Sequence, residues 1–334
     1  MSVLVTGATG YIALHVIQTL LKENYKVIGT VRSQAKAEKL IKQFNNPALS
    51  FEIVPEIAEL GAFDHVLQKR ADEIKYVIHM ASPVTFETTE FEKDILIPAI
   101  NGAKNILEAI KKYAPKTVKQ VVLTSSIVAA MDISNPGPIN EESWNPITWE
   151  EALTGPMAAY SASKKFAEQA AWKFLEDNKN EVSFKLNTVN PTFVFGPQAF
   201  DEDSKGKLNF SADFLKQMLD ADPDSKYENT EFGSFIDVRD VARAHVLSIQ
   251  KEELAGKRLL LCEQSFSQQQ IVNILHKHFP KLSAELPSAS SEPFTITTNT
   301  NNQKTRGLLG FTFRDLDTTT FEAAYQILKA EGRI

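Results

Sequence analysis

The sequence predicts an α/β fold, a doubly wound parallel sheet of the Rossmann type with a smaller, discontinuous C-terminal domain. Two observations predict it: apolar strand-like runs alternate with segments of helical three-and-four spacing, and the first run ends in a glycine turn. With 334 residues, 43% of them apolar, the chain can bury such a core. The predicted strands are 3–5, 26–30, 50–54, 76–79, 121–124 and 183–189.

The first predicted strand ends in the turn Thr6-Gly-Ala-Thr-Gly-Tyr-Ile-Ala13 and leads into a helical pattern. Free N–H groups and the dipole at such a helix N-terminus attract a pyrophosphate. Gly7 permits the tight turn, Gly10 lets a phosphate approach the backbone, and Ala13 stands where a third glycine is often found. The turn therefore predicts a dinucleotide site, with an ordinary glycine turn as the alternative.

The second half of the chain departs from regular alternation after Pro191. Polar stretches follow there, and 235–242 and 258–262 are predicted as returns to the sheet domain. We expect a Rossmann domain of residues 1–190 plus about 231–264. A substrate-binding domain would comprise about 191–230 plus 265–334.

Composition narrows the classes of partner. The formal charge of −6 argues against nucleic acid or an anionic membrane as the main partner. Cys262 is the one cysteine, so no disulfide framework is expected, and no metal site is predicted. No run approaches the roughly eighteen apolar residues that cross a bilayer. We expect a cytoplasmic protein, a monomer or homodimer, that acts on a small molecule.

A tyrosine and a lysine four residues apart lie in the predicted helix 157–177. Residues four apart share a helix face, so the Tyr160 hydroxyl and the Lys164 ammonium can enter one cleft. We expect the cation to lower the pKa of the phenol and so to tune an acid or base. Tyr325 and Lys329 have the same spacing without that context. One of the two pairs is therefore coincidental, and context favours the first.

Two serines follow the fifth predicted strand, and ligands in such sheets bind beyond the carboxyl ends of the strands. Ser125 and Ser126 are therefore both candidates to orient a substrate carbonyl near Tyr160. The alternative is an ordinary polar strand end. Apolar side chains after the strand ends predict the walls of a substrate pocket: Phe86, Ile127, Met131, Phe193 and Phe195.

The end of the second predicted strand indicates which dinucleotide binds. An acidic residue there would bind the ribose of NAD, whereas arginine would bind the extra phosphate of NADP. The strand is followed by Arg32, and Lys36 lies one helical turn later. Because a guanidinium matches a phosphate and a second cation adds to its field, we predict NADPH.

These motifs together resemble the extended short-chain dehydrogenase/reductases, and within them the dihydroflavonol-reductase-like branch. The resemblance rests on the glycine turn, 31–33, 79–83, 124–126, Tyr160 with Lys164, and 237–242, and it spans nearly the whole chain. It implies stereoselective reduction of aldehydes and ketones, with Ser126 rather than Ser125 in the catalytic register beside Tyr160 and Lys164. It also implies that Tyr160 and Lys164 contact the cofactor together with Gly7, Ala8, Thr9, Gly10, Tyr11, Ile12, Arg32, Lys36, Glu56, Ile57, Ala81, Pro191, Val194 and Ser211.

The sequence thus predicts an NADPH-dependent carbonyl or aldehyde reductase with a serine, tyrosine and lysine mechanism. Two alternatives remain open. A nucleotide-sugar epimerase or dehydratase shares the fold and the tyrosine–lysine pair but normally keeps NAD bound, which Arg32 disfavours. A binding protein that senses NADP without catalysis would not need Ser126, Tyr160 and Lys164.

Overall fold

A computed structural model describes residues 1–82, 87–132, 137–206, 208–297 and 300–334. These residues contain ten strands and eleven α-helices. The strands are Ser2–Thr6 (β1), Lys26–Val31 (β2), Leu49–Ile53 (β3), Ile74–His79 (β4), Gln120–Thr124 (β5), Lys185–Pro191 (β6), Phe193–Phe195 (β7), Gly233–Asp237 (β8), Arg258–Leu261 (β9) and Gln264–Phe266 (β10). The helices are Tyr11–Lys22 (α1), Gln34–Phe44 (α2), Asp64–Arg70 (α3), Ile97–Tyr113 (α4), Trp149–Ala152 (α5), Pro156–Asp177 (α6), Phe210–Leu219 (α7), Val238–Gln250 (α8), Gln268–His278 (α9), Gln303–Leu309 (α10) and Leu316–Glu331 (α11).

The main sheet has seven parallel strands in the order β3-β2-β1-β4-β5-β6-β9. Its strand order reverses between β1 and β4, which opens a crevice at the carboxyl ends of those strands. Helices cover both faces, since α1, α2 and α8 share one buried apolar cluster and α3, α4 and α6 share another. The predicted doubly wound α/β fold is therefore confirmed.

A second sheet of three strands, in the order β10-β8-β7, lies outside the main one. Its core is rich in phenylalanine, and Phe195, Phe235 and Phe266 are fully buried there. Within 235–242, which the sequence predicts as a return to the sheet domain, β8 pairs with β7 and β10 rather than with the main sheet. The return comes with α8, which packs on α1, and with β9 as the last strand.

Residues at the helix ends explain where two further helices begin and end. Helix α6 begins with Pro156, whose fixed φ suits a first turn, and it continues through alanine-rich sequence. Helix α10 ends at Gly310, which adopts the left-handed conformation with φ 71°. None of the helices in the described ranges combines the length and the hydropathy that a bilayer crossing requires.

Candidate active site

The glycine turn joins β1 to α1 at the crevice of the main sheet. Gly7 has a φ of 68°, and a Cβ there would lie 2.9 Å from the Cα of Ala81, so the turn accepts only glycine without strain. Gly10 is the N-cap residue of α1, no side chain caps this terminus, and its first turn holds no acidic residue. The amide groups at the start of α1 are thus available to an anion.

A cavity of about 380 Å³ lies beside this turn. Thr9, Tyr11 and Lys36 contribute to one side, while Gln198 and Asn209 contribute from the chain that follows β7. Lys36 belongs to the first turn of α2, where Ser33 accepts a hydrogen bond from its backbone N–H at 3.4 Å. Arg32 is exposed directly after β2.

This donor set fits a phosphorylated dinucleotide. The uncapped α1 terminus would hold the pyrophosphate with the N–H groups of Tyr11 and Ile12, since that of Gly10 already donates to the carbonyl of Gly7 at 2.9 Å. Arg32 with Lys36 would hold a further phosphate. Ala8 is fully buried, and its N–H donates to the carbonyl of Thr30 at 3.0 Å, which keeps the turn on β2.

The other residues implied by the family resemblance occupy varied positions. Glu56 is exposed and accepts the N–H of Ala58 at 3.0 Å, and the carbonyl of Ile57 binds the Asn105 amide at 2.8 Å. Val194 is buried in β7, and Ser211 is half-buried in the first turn of α7.

Tyr160 and Lys164 lie on one face of α6, and Tyr160 meets Ser126 across the site. The Ser126 hydroxyl lies within hydrogen-bonding reach of the Tyr160 hydroxyl, and Ser126 Oγ donates to the carbonyl of Pro191 at 3.5 Å. The Lys164 ammonium lies 5.8 Å from the centroid of the Tyr160 ring. Ser126, Tyr160 and Lys164 therefore converge although β5 and α6 are separated in the sequence.

The three hydroxyls at the end of β5 and directly after it each have a different partner. Thr124 Oγ1 is 2.8 Å from Nε2 of His245 on α8, and Ser125 Oγ donates to the carboxylate of Glu168 on α6 at 2.6 Å. Of these three, only Ser126 lies within hydrogen-bonding reach of Tyr160. This geometry favours Ser126 over Ser125 as the serine that meets a substrate.

Burial controls the ionisation of this site. Burial raises the pKa of Tyr160 above its ordinary value, and the hydrogen bond from Ser126 opposes that rise. Burial also lowers the pKa of Lys164 to about 8. The sequence led us to expect a lowered Tyr160 pKa, and the structure differs because desolvation of the phenol outweighs the stabilisation of its anion.

The predicted substrate-pocket residues divide into two groups. Ile127 and Met131 pack in the same apolar cluster as Tyr160, which is where a substrate would lie. Phe193 is half-buried and stacks on the exposed Phe210 with ring centroids 6.1 Å apart.

The last two predicted pocket residues are Phe195 and Phe86. Phe195 is fully buried, between the rings of Phe214 and Phe235, so its assignment to an accessible pocket wall is corrected: it belongs to the core of the second domain. Phe86 lies outside the described residues.

The second pair with the same spacing lies elsewhere. Tyr325 is 46% exposed on α11, where its ring packs beside Phe321, and Lys329 Nζ lies 3.8 Å from Asp201. Its neighbours are those of a surface helix. Tyr325 therefore offers a matched control for Tyr160.

Sequence reasoning missed Glu168 and Asn190, which lie directly behind the site. Both are fully buried, and the Asn190 amide donates to the carbonyl of Ser126 at 3.2 Å and to Glu168 at 2.7 Å. The available signal was helical spacing, because Glu168 follows Lys164 by the same four residues that separate Lys164 from Tyr160.

Comparison with known proteins identifies the family. The chain matches the NAD dependent epimerase/dehydratase family over residues 3–262 and belongs to it, which confirms the resemblance to extended short-chain dehydrogenase/reductases. It is 49% identical to NADPH-dependent methylglyoxal reductase GRE2 of Saccharomyces cerevisiae over 100% of both chains. It is 43% identical to the putative NADPH-dependent methylglyoxal reductase GRP2 of Candida albicans over 98% of each.

A solved structure is similar over the whole molecule. The crystal structure of yeast methylglyoxal/isovaleraldehyde reductase Gre2 complexed with NADPH matches with a TM-score of 0.95 and 49% identity, covering 100% of both chains. At this identity and coverage the likeness extends beyond the sheet to the second domain.

Proposed function

We propose that this protein reduces aldehydes and ketones to alcohols with NADPH, through Ser126, Tyr160 and Lys164. The observation that carries the proposal is the convergence of three side chains at the edge of the sheet where the glycine turn lies: the Ser126 hydroxyl is within hydrogen-bonding reach of Tyr160, and the Lys164 ammonium is 5.8 Å from the centroid of the Tyr160 ring. The names of two relatives, both NADPH-dependent methylglyoxal reductases, support the cofactor and the reaction class.

When bound, NADPH supplies a hydride to the carbonyl carbon. The Ser126 and Tyr160 hydroxyls donate hydrogen bonds to the substrate oxygen as its negative charge develops. Tyr160 then transfers its proton to that oxygen, and its raised pKa keeps the phenol protonated and ready at neutral pH. The Lys164 cation stabilises the phenolate that remains until a proton returns from solvent.

Two parts of the chain divide the work in this proposal. Residues 1–190 with about 231–264 hold the cofactor, and about 191–230 with 265–334 hold the substrate. Strand β8 is the exception, since its hydrogen bonds place it in the second sheet. The partner is a small aldehyde or ketone, and the enzyme acts in the cytoplasm as a monomer or homodimer, which light scattering during gel filtration would test.

The reaction is tested by the loss of NADPH absorbance on a panel of small aldehydes and bulky ketones, with NADH in parallel. Turnover with NADPH on at least one class of carbonyl is expected. If no carbonyl is reduced with either cofactor, the proposal is wrong. Tightly bound NAD, together with conversion of a nucleotide sugar, would favour the epimerase alternative.

Cofactor choice is tested by Arg32→Asp, with Lys42→Asp as the matched charge reversal at an exposed position of α2, the helix that follows Arg32. Loss of a charge-assisted contact to phosphate weakens NADPH binding by roughly 10- to 100-fold. NADH binding should change little, and Lys42→Asp should alter neither. An unchanged preference in Arg32→Asp would mean that Arg32 does not contact the cofactor.

A further inference from the structure

A buried ion pair lies directly behind the candidate catalytic residues. Glu168 is fully buried, and Arg258 Nε donates to its Oε1 at 2.6 Å, with the arginine side chain only 9% exposed. Because the desolvation of two charges costs about as much as their attraction returns, such a pair contributes little net stability compared with apolar residues. Its connections therefore matter more than its strength.

Those connections lead to the backbone on both sides of Ser126. Oε2 of Glu168 accepts hydrogen bonds from Ser125 Oγ at 2.6 Å and from Asn190 Nδ2 at 2.7 Å. The same Asn190 amide donates to the carbonyl of Ser126 at 3.2 Å. The residue after Asn190 is Pro191, whose carbonyl accepts the Ser126 hydroxyl. One carboxylate oxygen thus holds the ends of both β5 and β6 where they meet the site.

The carboxylate also belongs to the helix that carries the proton donor. Tyr160, Lys164 and Glu168 are spaced by four residues, so they lie on one face of α6 in successive turns. A single rigid helix therefore carries both the Tyr160 hydroxyl and the group that anchors Ser126. The distance between the two hydroxyls depends on this anchor.

Arg258 fixes the carboxylate from its other side. Its Nη1 donates to the carbonyls of Glu141 at 3.1 Å and Ser143 at 2.5 Å, and its guanidinium stacks 3.9 Å from the centroid of the Trp144 ring. These contacts hold the guanidinium against Oε1 of the carboxylate.

We propose that Glu168 is a positioning residue, which sets the Ser126 hydroxyl at hydrogen-bonding distance from Tyr160 by holding Ser125 and Asn190. The inference rests on the proposed reductase function, since Ser126 and Tyr160 act there as donors to one oxygen. Glu168 itself touches neither substrate nor cofactor. Its effect is on the geometry of the transition state rather than on the binding of NADPH.

Three variants of the full-length protein separate this role from a general structural one. Glu168→Gln removes the charge, and Ser125→Ala removes only the hydroxyl that links the carboxylate to the strand end. Trp172→Phe is the matched control, because Trp172 Nε1 also donates to Glu168, at 3.3 Å, but from the next turn of α6 and away from Ser126. For each variant, kcat and KM are measured with NADPH and a carbonyl compound that the wild type reduces. The Kd of NADPH is measured by fluorescence, and Tm by calorimetry.

Displacement of a reacting group by about an ångström can cost as much as 100-fold in rate. We therefore expect kcat to fall roughly 10- to 100-fold in Glu168→Gln and by a smaller factor in Ser125→Ala, with the NADPH Kd within about 2-fold of wild type. Trp172→Phe should keep kcat within about 2-fold. The double variant of Glu168→Gln and Ser125→Ala should be no slower than Glu168→Gln, because loss of the Glu168 carboxylate already removes its link to Ser125.

Several results would overturn the inference. Wild-type kcat in Ser125→Ala is one, and it decides the matter even if Glu168→Gln does not fold. An equal loss in Trp172→Phe would indicate a general packing effect. A loss in Ser125→Ala as large as that in Ser126→Ala would make Ser125 a direct donor. If the wild type reduces no carbonyl, the proposed function is wrong and the inference is wrong with it. If the wild type is active and the variants have the same kcat, only the inference is refuted.

Discussion

Replacement of Tyr160 by phenylalanine removes one oxygen atom from the candidate active site. The half-buried side chain packs in one apolar cluster with Ile127 and Met131, and phenylalanine fills the same space, so those apolar contacts remain. Ser126 loses one hydrogen bond but keeps the carbonyl of Pro191 as an acceptor at 3.5 Å. The perturbation is therefore chemical rather than structural.

The size of the effect follows from the role of the hydroxyl. A positioned proton donor contributes roughly 100- to 10,000-fold to a rate, and Tyr160→Phe should lower kcat within that range. The unfolding free energy should change by no more than about 1.5 kcal/mol, the net value of one hydrogen bond. NADPH should still bind, because the groups that we propose as its phosphate donors, at the start of α1 and beyond β2, are unchanged.

The assay follows NADPH absorbance under saturating carbonyl, with cofactor binding measured by fluorescence and stability by thermal unfolding. Tyr325→Phe serves as the control, since it removes the same atom from an exposed tyrosine that is also followed by a lysine four residues later. The control should retain wild-type kcat. Equal losses in the two variants, or full activity in Tyr160→Phe, would refute the assignment of Tyr160 as the proton donor.

Two further predictions concern stability. Gly7→Ala places a Cβ 2.9 Å from the Cα of Ala81 at a φ of 68°, so it should lower the free energy of unfolding, measured by urea denaturation, by about 1–3 kcal/mol. Gly307→Ala is the control, because α10 leaves open space at that position, and it should raise the free energy of unfolding by up to about 1 kcal/mol. Because burial lowers the Lys164 pKa from 10.5 to about 8, the charged lysine reduces the folding stability of the cofactor-free protein. This loss of stability is complete below pH 8 and disappears as the pH rises toward 10.5. The stability advantage of Lys164→Met over wild type, about 3 kcal/mol at most, should therefore shrink between pH 8 and 10, and a constant difference would contradict it.

The regular part of the fold could be predicted from local patterns. The first six predicted strands agree with β1–β6 to within two residues at each end, because a buried parallel strand is an apolar run that turn residues interrupt. The seventh strand of the main sheet was also anticipated, at 258–262. The sequence could not show that β8 pairs with β7 and β10, since an apolar strand carries no mark of the partner with which it will pair.

The candidate site, like the fold, could be predicted from the sequence only in part. Spacing on one helix was enough to pair Tyr160 with Lys164, but spacing alone could not separate that pair from Tyr325 and Lys329, which are also four residues apart. Sequence context favoured the first pair, and the structure adds that Tyr325 is 46% exposed on a surface helix. Burial likewise decided against Phe195 as a pocket wall and reversed the expected direction of the Tyr160 pKa. Both depend on how much of the chain excludes water from one side chain.

By itself the sequence determined the alternation of strands and helices, the glycine turn and the pair of cations after the second strand, because each is a pattern of residues close together in the chain. Only the tertiary structure decided which serine meets Tyr160. Ser125 is bound to Glu168, 43 residues away, and Glu168 to Arg258, a further 90 residues on, so these contacts exist only once β5, α6 and β9 are packed together.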